Sequence, residues 1–511
     1  EFRRVLFRSI YVNLFVYQIS RNIKFGRRYK KDLILKPNST ILMRNLLVLI
    51  LIGISFSACK KTVIADGNYG NNLTSTSDSA ANTWIYNTMK EYYLWADQMP
   101  GLSSTAIQSK PTDYFYTLLY GYDTIDRFSW IDSSAAHLTN QLNGINTVLG
   151  IKYNAFYADY AQTNIVFSIA YVLKGSPAEK AGLKRGDIIY KVDGNLITIN
   201  NYQSILQNAT LTIELATFNN NLFTGTGTTI KITKAELQTN PILKDTVIEW
   251  GGKKVGYLNY IQFLNSYDDS LRNVFSRFKQ YKSIGIDELV LDLRYNGGGY
   301  VTSSDLLTTL IVKDLSGKVG SVINKKVYNA TYTEVLKKDN NPSDFVTNFK
   351  MESANLSNLN RIFILTSNNT ASASELIINN LKPFMEVILI GEHTYGKNVG
   401  SFTITDTKNR WAFGLQPITF KITNSKDESN YGSINGFTPD YSLVDNLLPY
   451  KPLADPAETY FSKALSIISP VAYKAAGIGA IMKVKKDPIS PYSMGDNRKM
   501  DQKDMWIVPN K

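Results

Sequence analysis

The stretch that most constrains the fold runs from 362 to 397, where two short apolar runs flank an apolar helical pattern. Ile362–Leu365 and Val387–Ile390 have the length and composition of buried strands. The helical run between them begins near Ser372 and stops before Pro383, which cannot continue a helix. Strand, helix and strand in this order predict a βαβ-type crossover within a sheet that is covered by helices.

A serine and a lysine lie where the two strands of this crossover end. Ser372 is at the strand-to-helix turn, and Lys397 follows the second strand after a glycine. Both side chains can converge at one edge of the sheet, as a serine nucleophile and a lysine base require. Two structural readings stay open, because Ser372 and Glu375 form a capping-box pattern and most strand-end lysines are simply solvated. Ser374 is a competing serine.

The composition is that of an ordinary folded protein. The distribution of charge argues against nucleic acid as a partner. The 511 residues suffice for two to four domains, and 44% hydrophobic and 19% charged residues are typical of globular chains. The formal charge of +13 is concentrated, because residues 1–61 hold 13 Lys and Arg against two acidic residues. The rest of the chain has no basic stripe, so we expect no nucleic-acid binding.

The counts of cysteine and histidine exclude several kinds of site. Cys59 is the single cysteine of the sequence, so an intramolecular disulfide cannot form. His137 and His393 are the two histidines, which argues against a Ser-His-Asp triad and against a histidine-rich metal centre. We therefore expect neither a metal nor a cofactor.

The first part of the chain is typical of an exported bacterial protein. Residues 43–59 combine a positive start, a short apolar run and small residues before Cys59. They resemble a lipoprotein signal peptide, in which the cysteine is lipidated; a buried free cysteine behind a short anchor helix is the alternative. Residues 1–42 are interpreted as upstream sequence, and the Ser-, Asn- and Gly-rich residues 60–82 as a flexible tether. Together these features predict a lipid anchor on Cys59 in the bacterial cell envelope, on the periplasmic or surface face of the outer membrane.

Three further regions complete the expected domain organisation. Residues 83–145 predict a small helical module, because apolar residues recur there at helical spacing. Residues 237–470 predict an α/β body in which strands and helices alternate. Residues 471–511 have no clear period and receive no assignment. The expected fold class is α/β and multi-domain, with a β-rich domain between the helical module and the α/β body.

Residues 146–236 resemble a PDZ domain of the bacterial protease-associated type. The resemblance rests on Leu149-Gly150-Ile151 and on the glycine-rich run from 175 to 189. Such an apolar–glycine–apolar loop can present N–H groups to a C-terminal carboxylate, and the adjacent strand edge can add a peptide strand. Alternatively, the glycines are turn residues of an ordinary β-domain. The resemblance implies that Leu149, Gly150 and Ile151 bind the end of a peptide.

Three ordered motifs of the α/β body resemble the signatures of the C-terminal processing, or tail-specific, serine peptidases. They are Asp292-Leu-Arg-Tyr-Asn-Gly-Gly-Gly299, Thr370-Ala-Ser-Ala-Ser-Glu375 and Gly391-Glu-His-Thr-Tyr-Gly-Lys397. The segment Gly436-Phe-Thr-Pro-Asp440 and the position of the PDZ domain before the core fit the same family. The resemblance spans residues 83–470 and implies a peptidase core of the tail-specific type.

The resemblance also implies a role for individual residues. Ser372 is the nucleophile, preferred over Ser374 by the motif, and Lys397 is the general base 25 residues later. The amides of Gly298 and Ala373 form the oxyanion hole. A phosphate loop is a rival reading of the three glycines, but the Gly-Lys-Ser/Thr ending is missing.

Ser401 departs from the family pattern. Many members carry a glutamine at this position, four residues after the lysine, where it orients the base. Serine is shorter and makes fewer contacts, so a base-orienting role for Ser401 is left open. The main hypothesis is a serine endopeptidase whose PDZ domain binds free, unstructured C-termini of protein or peptide substrates. The alternative is a catalytically weak or inactive, membrane-tethered scaffold that binds peptides through the PDZ domain.

Overall fold

The computed structural model describes residues 77–445, 447–478 and 505–508, except for the side chain of Trp506. The described residues belong to one compact unit, Thr74–Lys511. The predicted upstream sequence, the signal peptide with Cys59 and most of the predicted tether lie outside the described residues. Within the described part, no helix is both long enough and apolar enough to cross a bilayer.

The first helix, α1 (Asp78–Tyr92), begins inside the segment 60–82 that composition predicts to be a tether. Ser77 caps it, because its hydroxyl accepts a hydrogen bond from the Ala80 amide at 3.3 Å. Ser and Asp favour both loops and helix N-termini, so composition placed the helix boundary too late. The remaining elements of this module are α2 (Pro111–Thr117), β1 (Trp130–Asp132) and α3 (Ala135–Leu142).

The N-terminal module is mostly helical, as predicted, but it is not self-contained. Strand β1 pairs antiparallel with the core strand Gly414–Gln416, and Trp130 lies opposite Gln416. Apolar residues of α1 and α2 share one buried cluster with Leu415 and Ile418 of the core. The module therefore packs onto the α/β body, which periodicity along 83–145 could not indicate.

The β-rich domain consists of a separate ribbon and one antiparallel sheet. The sheet order is β3-β4-β5-β7-β8 with β6 on β5, and β2 pairs with β9. Strand β3 lies at the sheet edge, and β4 is its partner within the described part. The elements are β2 (Ile145–Val148), β3 (Ile151–Tyr157), β4 (Ile165–Val172), α4 (Pro177–Lys180), β5 (Ile188–Val192), β6 (Asn195–Leu196), β7 (Thr210–Asn219), β8 (Leu222–Thr233) and β9 (Ala235–Gln238).

The α/β body contains the remaining elements. In chain order they are β10 (Ile242–Trp250), β11 (Lys253–Tyr260), α5 (Asp268–Gln280), β12 (Glu288–Asp292), β13 (Gly299–Tyr300), α6 (Val301–Ile311), β14 (Val322–Tyr328), α7 (Ala330–Asp339), β15 (Val346–Asn348), β16 (Arg361–Thr366), α8 (Ala373–Leu381), β17 (Glu386–Gly391), β18 (Val399–Ser401), β19 (Ile404–Thr405), β20 (Gly414–Gln416), β21 (Ile418–Asn424), β22 (Tyr441–Ser442), α9 (Thr459–Ile468), α10 (Pro470–Ala475) and β23 (Met505–Trp506). Short 3-10 turns connect them at Asn265–Tyr267, Tyr281–Ser283, Leu315–Lys318 and Pro342–Asp344, and two more lie in the N-terminal module at Ala96–Gln98 and Leu102–Ser104.

The main sheet has the order β10-β11-β12-β16-β17-β22 and is parallel from β11 onward. Helices α5, α6 and α8 cover one face, and α9 covers the other. Both faces of the central strands are therefore buried, which explains why these strands are nearly continuous apolar runs. The crossover predicted between 362 and 397 is present as β16, α8 and β17, and the helix ends before Pro383.

A second sheet of the order β13-β23-β18-β21-β14-β15 lies beside the ends of the main sheet. Strand β23 comes from residues 471–511, which the sequence left unassigned, and it enters this sheet from beyond the expected core boundary at 470. A two-residue strand has no detectable period, so only the folded context identifies it.

Candidate active site

Ser372 lies on a sharp turn between β16 and α8. Its backbone has φ 65° and ψ −116°, a left-handed region that non-glycine residues avoid at a cost of about 1–3 kcal/mol. The side chain is fully buried. Its Oγ faces the Glu375 amide as in a capping box, but the geometry is not that of a hydrogen bond. The hydroxyl therefore has no hydrogen-bond partner among the described residues. A buried, unpaired hydroxyl on a strained turn suits a nucleophile better than a cap.

Glu375 joins the serine turn to the lysine loop. Its Oε2 accepts hydrogen bonds from the amides of Ser372 and Lys397, both at 2.8 Å. Its Oε1 accepts from the Thr394 hydroxyl at 2.5 Å and from the Gly396 amide at 2.7 Å. One carboxylate therefore holds the backbones of the predicted nucleophile and the predicted base side by side. The capping-box pattern pointed to the bond with Ser372, but it contained no signal for the bonds to the lysine loop.

The same carboxylate is fully buried, which affects its protonation. Burial raises the pKa of Glu375 to about 7, and the hydrogen bonds from Thr394, Lys397, Ser372 and Gly396 oppose this rise. Glu375 therefore changes protonation state near neutral pH.

Lys397 is buried, and an aromatic ring of the N-terminal module covers it. Its Nζ lies 5.0 Å from the centroid of the Phe128 ring. Arg127 donates a hydrogen bond from Nη2 to the Gly396 carbonyl at 2.8 Å and stacks over Phe128 and Tyr395. The contact with Phe128 was missed, because it joins residues about 270 positions apart.

A second segment holds the lysine loop from the opposite side. The Phe437 amide donates to Thr394 Oγ1 at 2.7 Å, and the Thr394 amide donates to the Phe437 carbonyl at 3.1 Å. Gly436 has φ 47°, and a Cβ there would lie 2.2 Å from Thr394 Oγ1. The predicted family segment 436–440 therefore positions the base loop through Thr394.

The glycine-rich strand end is tied to the serine turn through Asn296. The Asn296 carbonyl accepts from the Ala371 amide at 3.1 Å and from Ser374 Oγ at 3.0 Å. Ser374 is therefore engaged in a structural bond, whereas Ser372 is not. The Gly298 amide donates to Asn296 Oδ1 at 2.9 Å. The predicted oxyanion role of Gly298 thus requires that this bond open, and it stays a prediction.

Ala373 supplies the first amide of α8. The first amides of a helix have no acceptor within the helix, and the helix dipole makes this end favourable for negative charge. The position of Ala373 directly after Ser372 fits the predicted oxyanion hole.

The Ser401 side chain forms hydrogen bonds with Gln416 and Met505. Its Oγ accepts from Gln416 Nε2 at 2.9 Å and donates to the Met505 carbonyl at 3.4 Å. Gln416 is fully buried on β20, and its Oε1 accepts from the Thr403 hydroxyl at 2.7 Å. A glutamine is therefore present beside Ser401, supplied by another strand, and the base-orienting role of Ser401 stays open.

The two histidines lie apart from each other and from the predicted dyad in their contacts. His393 is exposed, and its Nδ1 lies 3.2 Å from the Asn435 carbonyl. His137 is on the N-terminal module and pairs with Asp132 at 2.6 Å. Across the described ranges, no group of three or more His, Cys, Asp or Glu side chains could hold a metal ion.

Asp292 and Arg294 tie the end of β12 to its neighbours. The buried Arg294 guanidinium bonds Asp292 at 2.9 Å and Glu458 at 2.6 Å. Arg185 of the β-rich domain reaches the same cluster and donates to the Tyr295 hydroxyl at 2.7 Å. Since Tyr295 precedes Asn296, this contact links the β-rich domain to the glycine-rich loop.

The loop that is predicted to bind the C-terminal end of a peptide leads into strand β3. Leu149 is buried, Gly150 has φ 88°, and a Cβ on Gly150 would lie 2.1 Å from the Ser176 Cβ. Only glycine fits there. Ile151 begins the edge strand and packs with Ile205 on the core of the domain. The loop and the strand edge have the arrangement that β-strand addition needs, and the residue roles stay a prediction.

Comparison with known families agrees with this architecture. The model of peptidase family S41 matches residues 254–443, the peptidase S41 N-terminal domain matches 80–130, and a PDZ domain matches 168–216. The PDZ match identifies the β-rich domain and confirms that part of the prediction.

Two curated proteins illustrate the relationship. The chain is 22% identical over 362 residues to a carboxyl-terminal-processing protease of Synechocystis sp., covering 68% of this chain and 74% of that protein. It is 24% identical over 287 residues to the chloroplastic C-terminal processing peptidase of Tetradesmus obliquus, covering 54% of this chain and 56% of that protein. The chain thus spans only about half the length of some relatives.

A solved structure resembles the whole arrangement. It is a chain from Bacteroides fragilis, classed as an S41 protease, with a TM-score of 0.63 and 28% identity, covering 76% of this chain and 97% of that one. The motif-based resemblance and the expected fold class are confirmed by these matches. The chain belongs to peptidase family S41, with an N-terminal S41 domain and a PDZ domain.

Proposed function

We propose that this protein is a serine endopeptidase that cleaves the C-terminal tails of protein substrates through a Ser372–Lys397 dyad. The observation that carries the proposal is the Glu375 carboxylate, which bonds the amides of both residues at 2.8 Å. A structural serine and a structural lysine would not need a shared anchor. The unpaired hydroxyl of Ser372 and the burial of Lys397 support the same assignment.

The chemistry follows acyl-enzyme catalysis. Ser372 Oγ attacks the scissile carbonyl carbon, and its proton passes to Lys397 Nζ, which must be neutral to accept it. The new oxyanion faces the Ala373 amide at the start of α8 and, once Asn296 releases it, the Gly298 amide. The proton on Lys397 then goes to the leaving amine. Water then attacks the acyl-serine ester and gives its proton to Lys397. The bond between the acyl carbon and Ser372 Oγ breaks, Lys397 returns the proton to Ser372 Oγ, and the acid product leaves.

The PDZ domain would supply substrate selection. Leu149, Gly150 and Ile151 would hold the terminal carboxylate, while the edge strand β3 would pair with the preceding residues of the substrate. Arg185 couples this domain to Tyr295 beside the glycine-rich loop. Binding of a tail could thereby reach the oxyanion loop, which suits a peptidase that acts on substrates with free C-termini.

Cleavage of an unfolded protein by the full chain tests the proposal. We expect fragments from the unmutated protein and none from Ser372→Ala or Lys397→Met. Ser374→Ala is the matched control, because Ser374 bonds Asn296 and should retain most cleavage. Amidation of the substrate C-terminus should raise KM. Equal cleavage by Ser372→Ala would refute the proposal.

A second candidate function is a membrane-tethered PDZ scaffold without catalysis. The engagement of the Gly298 amide by Asn296 Oδ1 at 2.9 Å favours it, because one expected oxyanion donor is occupied. Micromolar binding of a tail peptide with no turnover by the unmutated chain would support the scaffold.

We further propose lipidation of Cys59 and anchoring in the bacterial cell envelope. The support is the sequence of residues 43–59 alone. Expression in a bacterium with labelled palmitate should label the protein and place it in the membrane fraction. Cys59→Ser should abolish both, and a labelled Cys59→Ser variant would contradict the proposal.

A further inference from the structure

Strand β13 follows the oxyanion loop and strand β18 follows the base loop. A strand from the C-terminal part of the chain, β23, lies between them. Strand β23 is parallel to both. Met505 pairs with Gly299, and Trp506 pairs with both Tyr300 and Ser401. Since β13 begins directly after Gly298 and β18 begins two residues after Lys397, the intervening space is bordered by the two catalytic loops.

Residues 505–508, here called the Met505–Val508 segment, occupy this space. The Ile507 amide donates to the Ser401 carbonyl at 3.1 Å, and Ser401 Oγ donates to the Met505 carbonyl at 3.4 Å. The Met505 side chain is fully buried and contacts the cluster that contains Leu376 of α8. The helix that carries the nucleophile therefore forms part of the Met505 pocket. Val508 is 68% exposed, so the segment leaves the space at once.

Glycines on both sides of this space allow a close approach of backbone atoms. A Cβ on Gly400 would lie 2.9 Å from the Met505 carbonyl oxygen. A Cβ on Gly299 would lie 2.2 Å from the Phe263 carbonyl oxygen, so β13 itself is packed tightly from behind. The short Ser401 side chain donates to the Met505 carbonyl at 3.4 Å, where a longer side chain such as glutamine would need more room. Neighbouring strands lie about 4.8 Å apart, so β13 and β18 stand about 10 Å apart with room for one strand.

The strand pairing of the Met505–Val508 segment is short for a permanent strand. Its ladder comprises two residues on β13 and one on β18. Strands of five or six residues are usual, and such short pairing contributes little stability by itself. The residues that precede it in sequence, Asp501-Gln-Lys-Asp504, are all polar. In the described part of the segment, Met505 is the fully buried anchor and Ile507 packs against the same cluster. The unbranched, polarizable methionine side chain fits varied pockets.

We propose that the space between β13 and β18 is a binding site for an extended peptide strand, and that the Met505–Val508 segment occupies it as an internal competitor. This inference rests on the proposed function. A substrate strand enters parallel to β13, displaces the segment and places an unbranched apolar side chain in the Met505 pocket. Ser372, at the start of α8, then faces the peptide that lies beside Gly298.

The expected change in KM follows from the covalent connection between the Met505–Val508 segment and the rest of the chain. A segment of the same chain competes at an effective concentration in the millimolar range. A substrate must overcome this competition, which raises KM and leaves kcat unchanged. Releasing the segment should lower KM by about fivefold, independently of protein concentration, if the segment binds its site with a Kd of a few tenths of a millimolar.

The test uses Met505→Asp in the full chain, because a carboxylate cannot enter the apolar pocket. Val471→Asp is the matched control, since Val471 is 82% exposed on α10, a helix that packs against α9. KM, kcat and the thermal midpoint are measured with an unfolded protein substrate. In a Ser372→Ala background, anisotropy reports the binding of a fluorescent peptide of sequence 501–511 with both ends blocked.

Three results decide the matter. A lower KM with unchanged kcat and thermal midpoint, and peptide binding about fivefold tighter in Met505→Asp, support the proposal. An unchanged KM, or a lower thermal midpoint together with lost activity, overturns it, because the segment is then irrelevant or a permanent core strand. If no variant cleaves any substrate, the proposed function fails, while the peptide-binding measurement still decides whether the site exists.

Discussion

Replacement of Glu375 by glutamine separates catalysis from stability. Glutamine keeps the shape of the side chain but has one acceptor oxygen. We expect that oxygen to stay on the amides of Ser372 and Lys397, while Nε2 turns to the Thr394 hydroxyl, which can also accept. The Gly396 amide then loses its acceptor. Because Gly396 precedes the base, the lysine loop shifts, and a displacement near 1 Å costs about 100-fold in kcat.

The free energy of unfolding of Glu375→Gln should not fall with kcat at high pH, and should instead equal or exceed that of the unmutated protein. Burial raises the pKa of Glu375 to about 7 from an ordinary value of 4.5. The folded-state pKa is the higher one, so the stabilising contribution is complete below about pH 4.5 and is lost as pH rises through 7. A difference of about 2.5 pKa units corresponds to about 3 kcal/mol. Glutamine has no charge to bury and avoids this loss.

Unfolding in urea and steady-state cleavage at several pH values check both expectations. At pH 8.5, Glu375→Gln should be as stable as the unmutated protein or up to about 3 kcal/mol more stable, with kcat about 100-fold lower. Near pH 5, the two proteins should have similar free energies of unfolding. Glu334→Gln, on the surface of α7, is the control and should change neither quantity. A variant that is less stable at pH 8.5, or that keeps full kcat, would refute the reasoning.

Three further changes test other parts of the arrangement. Phe128→Ala should lower kcat about tenfold with KM unchanged, because Lys397 loses the ring that covers it, and Phe128→Leu should recover part of the rate; equal kcat in all three proteins would contradict this. Arg294→Met should lower the free energy of unfolding by about 3–5 kcal/mol in urea, because the buried Asp292 and Glu458 lose their partner. Burial raises the pKa of Asp305 to about 6 from 3.8, so its contribution to stability is lost as pH rises through 6. Asp305→Asn should therefore flatten the stability profile between pH 4 and 6 and gain up to about 3 kcal/mol at pH 7.5, measured by urea unfolding.

Local sequence patterns predicted the elements that bury both faces of the main sheet. The runs 288–293, 362–365 and 387–390 are apolar because helices cover both sides, so composition alone identifies them as strands. The serine turn and the lysine loop were found from motifs at the ends of these strands. Such motifs are local, since each lies within a few residues of a strong strand.

The supports of the site were not predictable in the same way. Phe128 reaches Lys397 from a loop about 270 residues earlier, and Gln416 bonds Ser401 from a different sheet. Neither residue has a local pattern that distinguishes it from a core residue. Strand β23 is too short to produce a period. Glu375 was visible as a capping residue, but its bonds to the lysine loop depend on the fold that brings β17 beside β16.

The departure at Ser401 shows what a motif leaves out when it is read by position alone. The sequence has serine where the family resemblance implies glutamine, so the base-orienting role at this position stays a prediction. In the folded protein, the buried Gln416 of β20, which belongs to a different sheet, donates a hydrogen bond to Ser401 Oγ at 2.9 Å. The same hydroxyl donates to the Met505 carbonyl at 3.4 Å. Ser401 therefore joins Gln416 to the Met505–Val508 segment, so the position that departs from the family motif is also part of the surface on which this segment lies.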